Sequence, residues 1–492
     1  MSARCVILYI FCALLLLQCN TNDPLSGARP VLEKIAISSS EKIFIVGEKY
    51  QFRATGEFSK RQPQDKTQDI TFSVTWTSSD TNLVKIEPKT GIAKFASTGK
   101  AHIVAVSTGE EGKNIQSQFD FQIFGAVKLH AGIQPADLVI TSDSRWALFT
   151  ESNKVHSVEL SDMMLTHPES INKGELAIND FTTGKIVLSK RALSNRESIA
   201  YVVGRNNEDI SVIATLNLSS LPVFALQHEV VSSRQGNILS IYADASMDSV
   251  FVILSSGQAV ITFKSTNRLP TLLQIGSSPK FVGGKSGTRK LVAIDTPPKI
   301  WIRSFHNNSD RSIETDNDFA QDYSMWPHPI SNKVYIIAGV NRLYPLSLDN
   351  PPNTLTGIAL SEDPEKMAFS EQNNKAFIVT NFRNVMVFDT SSDRYLNTVD
   401  KNVPNPALFP EMGEALDVKI DSTGNFAYIL AKDSGSAATQ RRLYKYNIEG
   451  RKLIRAISTQ GQPTFLKISP NGRWLFTLDA ASKGAIYVFP AF

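Results

Sequence analysis

The sequence predicts an all-β protein in which an antiparallel β-sandwich is followed by an eight-bladed β-propeller. Three observations lead to this fold class. Short segments alternate apolar and polar residues throughout, eight copies of a strand–turn–strand pattern fill the last three-quarters of the chain, and successive copies are 39 to 53 residues apart. A repeat of about 40–50 residues built only of strands is typical of propeller blades. Seven blades remain the alternative count.

Length and composition limit the function classes. The chain has 492 residues, with 51 Lys and Arg against 47 Asp and Glu, which gives a formal charge of +4. Because nucleic-acid binding normally requires a dense basic surface, no nucleic-acid partner is expected. The three cysteines are Cys5, Cys12 and Cys19. The remaining chain therefore contains no disulfide, no thiolate metal site and no cysteine nucleophile.

The N-terminal segment is predicted to be a lipoprotein signal peptide over residues 1–18. Its apolar core is about 13 residues long, which is short for a membrane-spanning helix and typical of a signal peptide. The sequence Leu16-Leu17-Gln18-Cys19 resembles a bacterial lipobox. Gln18 departs from the usual small residue, as in the looser spirochaetal lipoboxes. The resemblance implies lipidation of Cys19, a tether over 19–31, and export to the outer membrane, with the protein at the cell surface or on the periplasmic face. Ordinary secretion with an incidental Cys19 is the alternative.

Residues 32–124 are predicted to form the sandwich, since strands of five to eight residues are separated by Gly, Pro and Asp turns. The segment resembles the group 2 bacterial Ig-like domain. The landmarks that carry the resemblance are Val46-Gly47-Glu48, Val74-Thr75-Trp76 with Ser78-Ser79-Asp80, and Thr90-Gly91 with Ala93. We expect Trp76 to be buried against the opposite sheet, and His102 to lie on a sheet face rather than to bind metal.

Residues 126–492 are predicted to form the propeller. The last repeat, with Gln462-Pro463 followed by Ser469-Pro470-Asn471-Gly472-Arg473, resembles the YVTN repeats of surface-layer and lactonase-like propellers. The Trp-Asp dipeptide of WD40 repeats is absent. Because the chain ends after the third strand of the eighth repeat, residues 126–129 are expected to pair with the last blade and to remove its exposed edge. Trp146 and Trp474 occupy equivalent positions in the first and last repeats, where a core role is expected.

No motif in the sequence predicts catalytic residues, a metal site or a cofactor. The segment Gly284-Lys285-Ser286 lacks the first glycine of a phosphate loop and the helix that should follow it. His328 is interpreted as a loop residue, and the acidic residues at 316–318 and 322 are interpreted as a solvated loop. The binding residues are unknown. The candidate binding loops are the longest irregular stretches, at 172–184, 306–319, 350–354 and 433–441.

These features favour a non-catalytic binding or adhesion role for a membrane-anchored envelope lipoprotein. The expected partners are the membrane, through the lipid, and a protein or glycan on the propeller. Whether the protein is an enzyme is left open, with binding preferred. A lactonase-like hydrolase that uses carboxylates around the central channel is one alternative, and a periplasmic assembly scaffold is another.

Overall fold

A computed structural model describes most of the chain after residue 29. The described residues are 30–59, 66–108, 112–131, 135–161, 172–179, 181–190, 197–208, 210–235, 238–244, 246–247, 249–254, 260–264, 271–295, 299–315, 323–338, 341–360, 362–370, 372–380, 385–396, 412–433, 440–450, 452–479 and 484–491. Within these ranges the regular elements longer than a turn are all β-strands. The chain separates into two compact units, with the boundary between Ile123 and Phe124.

The first unit consists of two antiparallel sheets. One has the strand order β1-β3-β7-β6 with β4 on the side of β3: β1 (Leu32–Ser39), β3 (Lys49–Phe58), β7 (Ile92–Phe95), β6 (Val84–Ile86) and β4 (Thr67–Asp69). The other has the order β2-β9-β8-β5: β2 (Phe44–Ile45), β9 (Asn114–Phe124), β8 (Gly99–Thr108) and β5 (Thr75–Ser78).

An aromatic core lies between these two sheets. The rings of Phe44 and Phe52 are 5.5 Å apart, and Phe44 and Phe95 are 5.4 Å apart, both nearly parallel. Trp76 is 1% exposed and donates a hydrogen bond from Nε1 to the carbonyl oxygen of Thr71, at 2.9 Å. The predicted burial of Trp76 is confirmed, and its polar nitrogen is satisfied inside the core, as a buried indole requires.

The second unit is a series of eight sheets, in which each described sheet is an up-and-down antiparallel unit. Sheets 1–4 contain, in order, β11 (Asp137–Ile140), β12 (Trp146–Glu151), β13 (Lys154–Glu159), β14 (Lys173–Ala177); β15 (Phe181–Lys190), β16 (Glu197–Asn206), β17 (Ile210–Asn217), β18 (Ala225–Gln235); β19 (Ile238–Asp244), β20 (Ser249–Leu254), β21 (Val260–Lys264), β22 (Thr271–Leu273); and β23 (Pro279–Gly284), β24 (Lys290–Asp295), β25 (Lys299–Ser304), β26 (Ser309–Thr315), to which the short β30 (Thr354–Leu355) adds in parallel.

Sheets 5–8 follow the same plan. They contain β27 (Tyr323–Pro327), β28 (Lys333–Ala338), β29 (Arg342–Ser347), β31 (Ile358–Ala359); β32 (Pro364–Ser370), β33 (Lys375–Thr380), β34 (Val385–Asp389), β35 (Arg394–Tyr395); β36 (Met412–Ile420), β37 (Phe426–Asp433), β38 (Arg441–Asn447), β39 (Lys452–Ser458); and β40 (Pro463–Ile468), β41 (Trp474–Asp479), β42 (Ala485–Pro490), with β10 (Val127–Ala131) as the fourth strand. We call the first strand of each sheet its inner strand.

The second strand of each sheet contains a buried run of apolar residues, because neighbouring sheets cover both of its faces. In β16, Ala200 and Val202 belong to the core shared with sheet 1, whereas Ile199, Tyr201 and Val203 belong to the core shared with sheet 3. Side chains alternate between the two faces of a strand, so one run of apolar residues fills two cores. This arrangement explains why the second strands give the clearest signal in the sequence.

The strand before the first repeat closes the series of sheets. In β10, Val127 pairs with Val488 of β42, and both side chains join Phe149 of sheet 1 in one core. The backbone N–H of Asn471, in sheet 8, donates a hydrogen bond to Oγ of Ser144, in sheet 1, at 2.9 Å. The predicted pairing of residues 126–129 with the last blade is confirmed, and the exposed edge of β42 is covered.

Two of the predicted irregular stretches contain strands. The stretch 172–184 includes β14 and the start of β15, and the stretch 306–319 includes β26. Every residue of β14 is exposed or half-buried, and it is held by its pairing with β13. An outer strand of this kind has no buried face and is held by backbone hydrogen bonds, which do not require apolar side chains. Its sequence therefore shows no alternation of apolar and polar residues.

Candidate functional site

Three lysines gather on the inner strands of sheets 6, 7 and 8. Lys366 lies on β32, Lys419 on β36 and Lys467 on β40, and neighbouring inner strands of these sheets are in contact. Lys366 and Lys419 form ion pairs with Asp417, which lies two residues before Lys419 and therefore on the same face of β36, and Lys467 lies on the neighbouring inner strand β40. We call Lys366, Lys419, Lys467 and Asp417 the inner-strand lysine cluster.

Asp417 is a fully buried carboxylate with 0% exposure, and four donors surround it. Its Oδ1 accepts hydrogen bonds from the backbone N–H of Val418 and from Nζ of Lys419, both at 2.8 Å. Its Oδ2 accepts from the backbone N–H of Leu466, in sheet 8, at 2.8 Å, and is 3.6 Å from Nζ of Lys366, in sheet 6. Burial of a carboxylate costs free energy unless it is paired and hydrogen-bonded in this way. Asp417 therefore links three consecutive sheets.

The lysines reach solvent more than Asp417 does. The side chains of Lys366 and Lys419 are 34% and 26% exposed, compared with 1% for the side chain of Asp417. Burial lowers the pKa of Lys366 from its usual value, and Asp417 opposes this change. Burial also lowers the pKa of Lys467, against the attraction of Asp137 on sheet 1. The cluster therefore presents ammonium groups outward over a buried negative charge.

An aromatic ring lies between two of the ammonium groups. Nζ of Lys467 is 5.3 Å from the ring centroid of Phe465, and Nζ of Lys366 is 6.0 Å from the same centroid. Cations within about 6 Å of a ring face are attracted by its quadrupole. Phe465 and Lys467 are two residues apart on β40, so both lie on the same face of this strand.

The carboxylate of Asp137 repeats the linking role of Asp417 between sheets 1 and 2. It accepts hydrogen bonds from the backbone N–H of Leu138, at 2.8 Å, and of Ile186 on β15, at 3.2 Å. Ser240 makes the comparable contact between sheets 3 and 4, where its Oγ donates to the carbonyl oxygen of Val282 at 2.8 Å. Polar side chains on inner strands therefore connect one sheet to the next.

A cavity of about 530 Å³ lies at β15 and β16 of sheet 2. It is lined by Thr182, Thr183, Gly184, Lys185, Val203, Gly204, Arg205, Asn206 and Ile238. Three of these residues fall in the predicted binding loop 172–184, so this loop does contribute to a concave surface. Lys185 and Arg205 make the lining basic, and Lys185 precedes Ile186, whose amide binds Asp137.

His328 lies in the loop after β27, as predicted, and is buried there. It directly follows β27 and is 6% exposed. Its Nδ1 accepts hydrogen bonds from the backbone N–H groups of Ile330, at 3.3 Å, and Ser331, at 3.0 Å, and its Nε2 lies 3.3 Å from Oγ1 of Thr390 in sheet 6. Because Nδ1 is an acceptor, the imidazole is neutral. Burial lowers its pKa, and the nearby ammonium groups lower it further.

The other residues singled out in the sequence have structural roles or lie outside the described ranges. Nζ of Lys285 donates to the carbonyl oxygens of Pro329, at 3.1 Å, and Ser331, at 2.6 Å, and does not form part of a phosphate loop. Trp146 and Trp474 are buried, as predicted. Cys19, residues 1–29, the acidic residues 316–318 and 322, and most of the loop 433–441 lie outside the described residues.

Among the described residues, no helix has the length and apolar character required to cross a bilayer. In the same ranges, no group of three or more His, Cys, Asp or Glu side chains converges as metal ligands would. Sequence reasoning did not find the lysine cluster, because its successive lysines are 53 and 48 residues apart and follow no local motif.

The comparisons with known proteins identify a fold. No family model matches the chain, and no curated protein matches its sequence. The C-terminal WD40 domain of Sif2 is similar in structure, with a TM-score of 0.52 and 10% identity over 74% of this chain and 98% of that one. The dihydro-heme d1 dehydrogenase NirN aligns with a TM-score of 0.49 and 12% identity, over 75% of this chain and 73% of that one. The similarity to the WD40 domain supports a β-propeller fold.

Proposed function

We propose that the protein is an exported lipoprotein whose eight-bladed propeller is a rigid binding surface for another macromolecule. In this proposal Cys19 carries the lipid, residues 32–124 form a bacterial Ig-like domain, and the propeller of residues 126–492 holds the binding site. The observation that carries the proposal is the group of lysines on the inner strands, where Lys366 and Lys419 pair with Asp417 and Lys467 lies on the next inner strand. A surface of ammonium groups held by a rigid scaffold suits recognition, because its geometry is fixed before the partner arrives.

The hydrogen bonds to Asp417 favour a binding role over hydrolysis. A general base must accept a proton from substrate or water, and therefore needs an accessible oxygen. Both oxygens of Asp417 face donors from the protein, with three of these contacts at 2.8 Å. A lysine with a lowered pKa can itself act as a base or nucleophile, and this is the property on which the hydrolase alternative depends.

Site-specific photo-crosslinking in cells tests the binding role. We would place a photoreactive residue at the exposed Thr464, at the start of β40, and a matched one at the exposed Lys452, on the outer strand β39 of sheet 7. A partner held at the inner strands gives a crosslinked product from position 464 and none from position 452. No product from either position in intact cells contradicts the binding role.

Two further measurements test the anchor and the location. Replacement of Cys19 by Ser should move the protein from the detergent phase to the aqueous phase in detergent partition, since the attached acyl chains provide the membrane affinity. Protease treatment of intact and lysed cells distinguishes surface display from the periplasmic scaffold. Loss of the propeller from intact cells favours adhesion, whereas protection until lysis favours a periplasmic partner.

A further inference from the structure

We propose that a row of three lysines on the first unit binds a linear acidic polysaccharide. The row consists of Lys49 on β3, Lys94 on β7 and Lys85 on β6, and Lys94 pairs directly with each of the other two. All three side chains are exposed. We call these residues the lysine row. It lies within residues 32–124 and adds a second binding surface to the one proposed for the propeller.

The lysine row places like charges side by side on three neighbouring strands. Like charges at directly opposite positions of an antiparallel pair destabilise it, and Lys94 is opposite a lysine on both sides. Adjacent strands are about 4.8 Å apart, so the row spans about 10 Å. A partner that brings several negative charges along this line would remove the repulsion.

The carboxylates of the first unit do not neutralise the row by direct pairing. Within its described residues, carboxylates lie at ion-pair distance from Lys66 and His102, and from no lysine of the row. Glu87, two residues after Lys85 and on the same face, forms no such pair, and neither does the half-buried Glu48. The ammonium groups of the row are therefore available to a partner.

A second row on the same face carries hydrogen-bond acceptors. Gln51 pairs with Ile92, and the backbone N–H of Glu87 donates to the carbonyl oxygen of Ile92 at 2.8 Å. The amide nitrogen of Gln51 donates to the carbonyl oxygens of Phe52 and Thr90, both at 2.7 Å, which leaves its amide oxygen as an acceptor. Oε2 of Glu87 accepts from Oγ1 of Thr90 at 2.6 Å, and this carboxylate can accept further hydrogen bonds.

The two rows together indicate the class of partner. The lysine row binds anionic groups, whereas the amide and carboxylate oxygens beside it require donors. A sugar acid has hydroxyl donors next to its carboxylate or sulfate groups, and the C–H groups of its ring can contact the half-buried Ile92. Ionised glutamate side chains only accept hydrogen bonds, and the backbone of DNA has no hydroxyl group next to its phosphates.

Fluorescence anisotropy with labelled polygalacturonate tests the proposal on the purified full-length protein in detergent. Labelled dextran is the uncharged polymer, and dextran sulfate distinguishes sulfate from carboxylate as the preferred anion; binding of either acidic polymer through the row supports the proposal. We expect Lys94→Gln to weaken binding about fivefold, the effect of losing one exposed ion pair. The triple variant Lys49→Gln/Lys85→Gln/Lys94→Gln should bind about a hundredfold more weakly, because the three losses combine.

The matched control is Lys100→Gln. Lys100 is exposed on β8, in the other sheet of the first unit, and is opposite Gln122 rather than another lysine. Its replacement should leave the affinity for polygalacturonate unchanged. Thermal unfolding gives a readout without any ligand: Lys94→Gln should keep or raise the melting temperature because it removes repulsion, and a lower melting temperature would contradict this.

Three results would overturn the proposal: equal affinity for dextran and for both acidic polysaccharides, wild-type affinity in the triple variant, or tighter binding of polyglutamate or duplex DNA than of both acidic polysaccharides at equal charge concentration. The last result would assign the row to an acidic peptide or a nucleic acid. The assay contains no partner of the propeller, so its failure leaves the crosslinking test of the proposed function unaffected. Polysaccharide binding that survives in the triple variant but is lost in Lys366→Gln would move the site to the propeller and refute the lysine row.

Discussion

Removal of the Asp417 carboxylate is the sharpest test of how the inner strands are held together. In Asp417→Ala, the buried N–H of Leu466 and that of Val418 lose their side-chain acceptor, and two ammonium groups lose their counterion. Each buried donor left without a partner costs about 1–3 kcal/mol. Because Lys366 and Lys419 are about a third and a quarter exposed, water offsets part of the electrostatic loss.

The expected destabilisation is about 3–5 kcal/mol, the range observed when one partner of a buried ion pair is removed. Asp417→Asn retains an acceptor for one of the two amides and should lose less. Glu314→Ala is the control, because Glu314 forms an ion pair with Lys299 at 2.7 Å but is 66% exposed, and exposed pairs contribute at most about 1 kcal/mol.

The assay is equilibrium unfolding in urea, followed by circular dichroism and by tryptophan fluorescence. Trp146 and Trp474 are both buried in the second unit and report on sheets 1 and 8. Destabilisation shifts the midpoint to lower urea concentration. A midpoint for Asp417→Ala that coincides with that of Glu314→Ala would refute the linking role of Asp417.

Three further predictions concern stability. The folded protein holds His328 neutral with a lowered pKa, so its contribution to the free energy of unfolding is complete above the unfolded pKa of about 6.5. This contribution is lost as pH falls through the folded pKa, by up to about 1.4 kcal/mol per pH unit. The stability difference between wild type and His328→Asn, measured in urea, should therefore shrink from pH 7.5 to pH 5, and a constant difference would contradict this. Gly276→Ala should cost about 2 kcal/mol or more in thermal unfolding, because φ is 73° and a Cβ would lie 2.2 Å from Oδ1 of Asp295; an unchanged melting temperature would count against it. Ser240→Ala should cost about 1–3 kcal/mol because the buried backbone groups of Val282 lose their partner, and an unchanged urea midpoint would show that this link is dispensable.

Several sequence predictions were possible because they depend only on local patterns of apolar residues. A second strand such as β16 is buried on both faces, so its apolar run is visible in the sequence alone. The burial of Trp76 was also predictable, because a large aromatic residue in a strand of alternating polarity faces the core. The prediction of an irregular stretch at 172–184 was wrong, since the exposed strand β14 has no apolar pattern to reveal it.

The all-β class, the repeat, and the strand before the first repeat that covers the last sheet could all be predicted from the amino-acid sequence. These features follow from burial that alternates along the backbone and therefore leaves a local pattern in the chain. The candidate site became visible only when the fold was known. Lys366, Lys419 and Lys467 are 53 and 48 residues apart, and each occupies an ordinary position in its own repeat. Lys366 and Lys419 share Asp417, and Lys366 and Lys467 share Phe465, because the inner strands of neighbouring sheets are in contact. Contacts between strands so far apart in the chain leave no spacing pattern in the sequence.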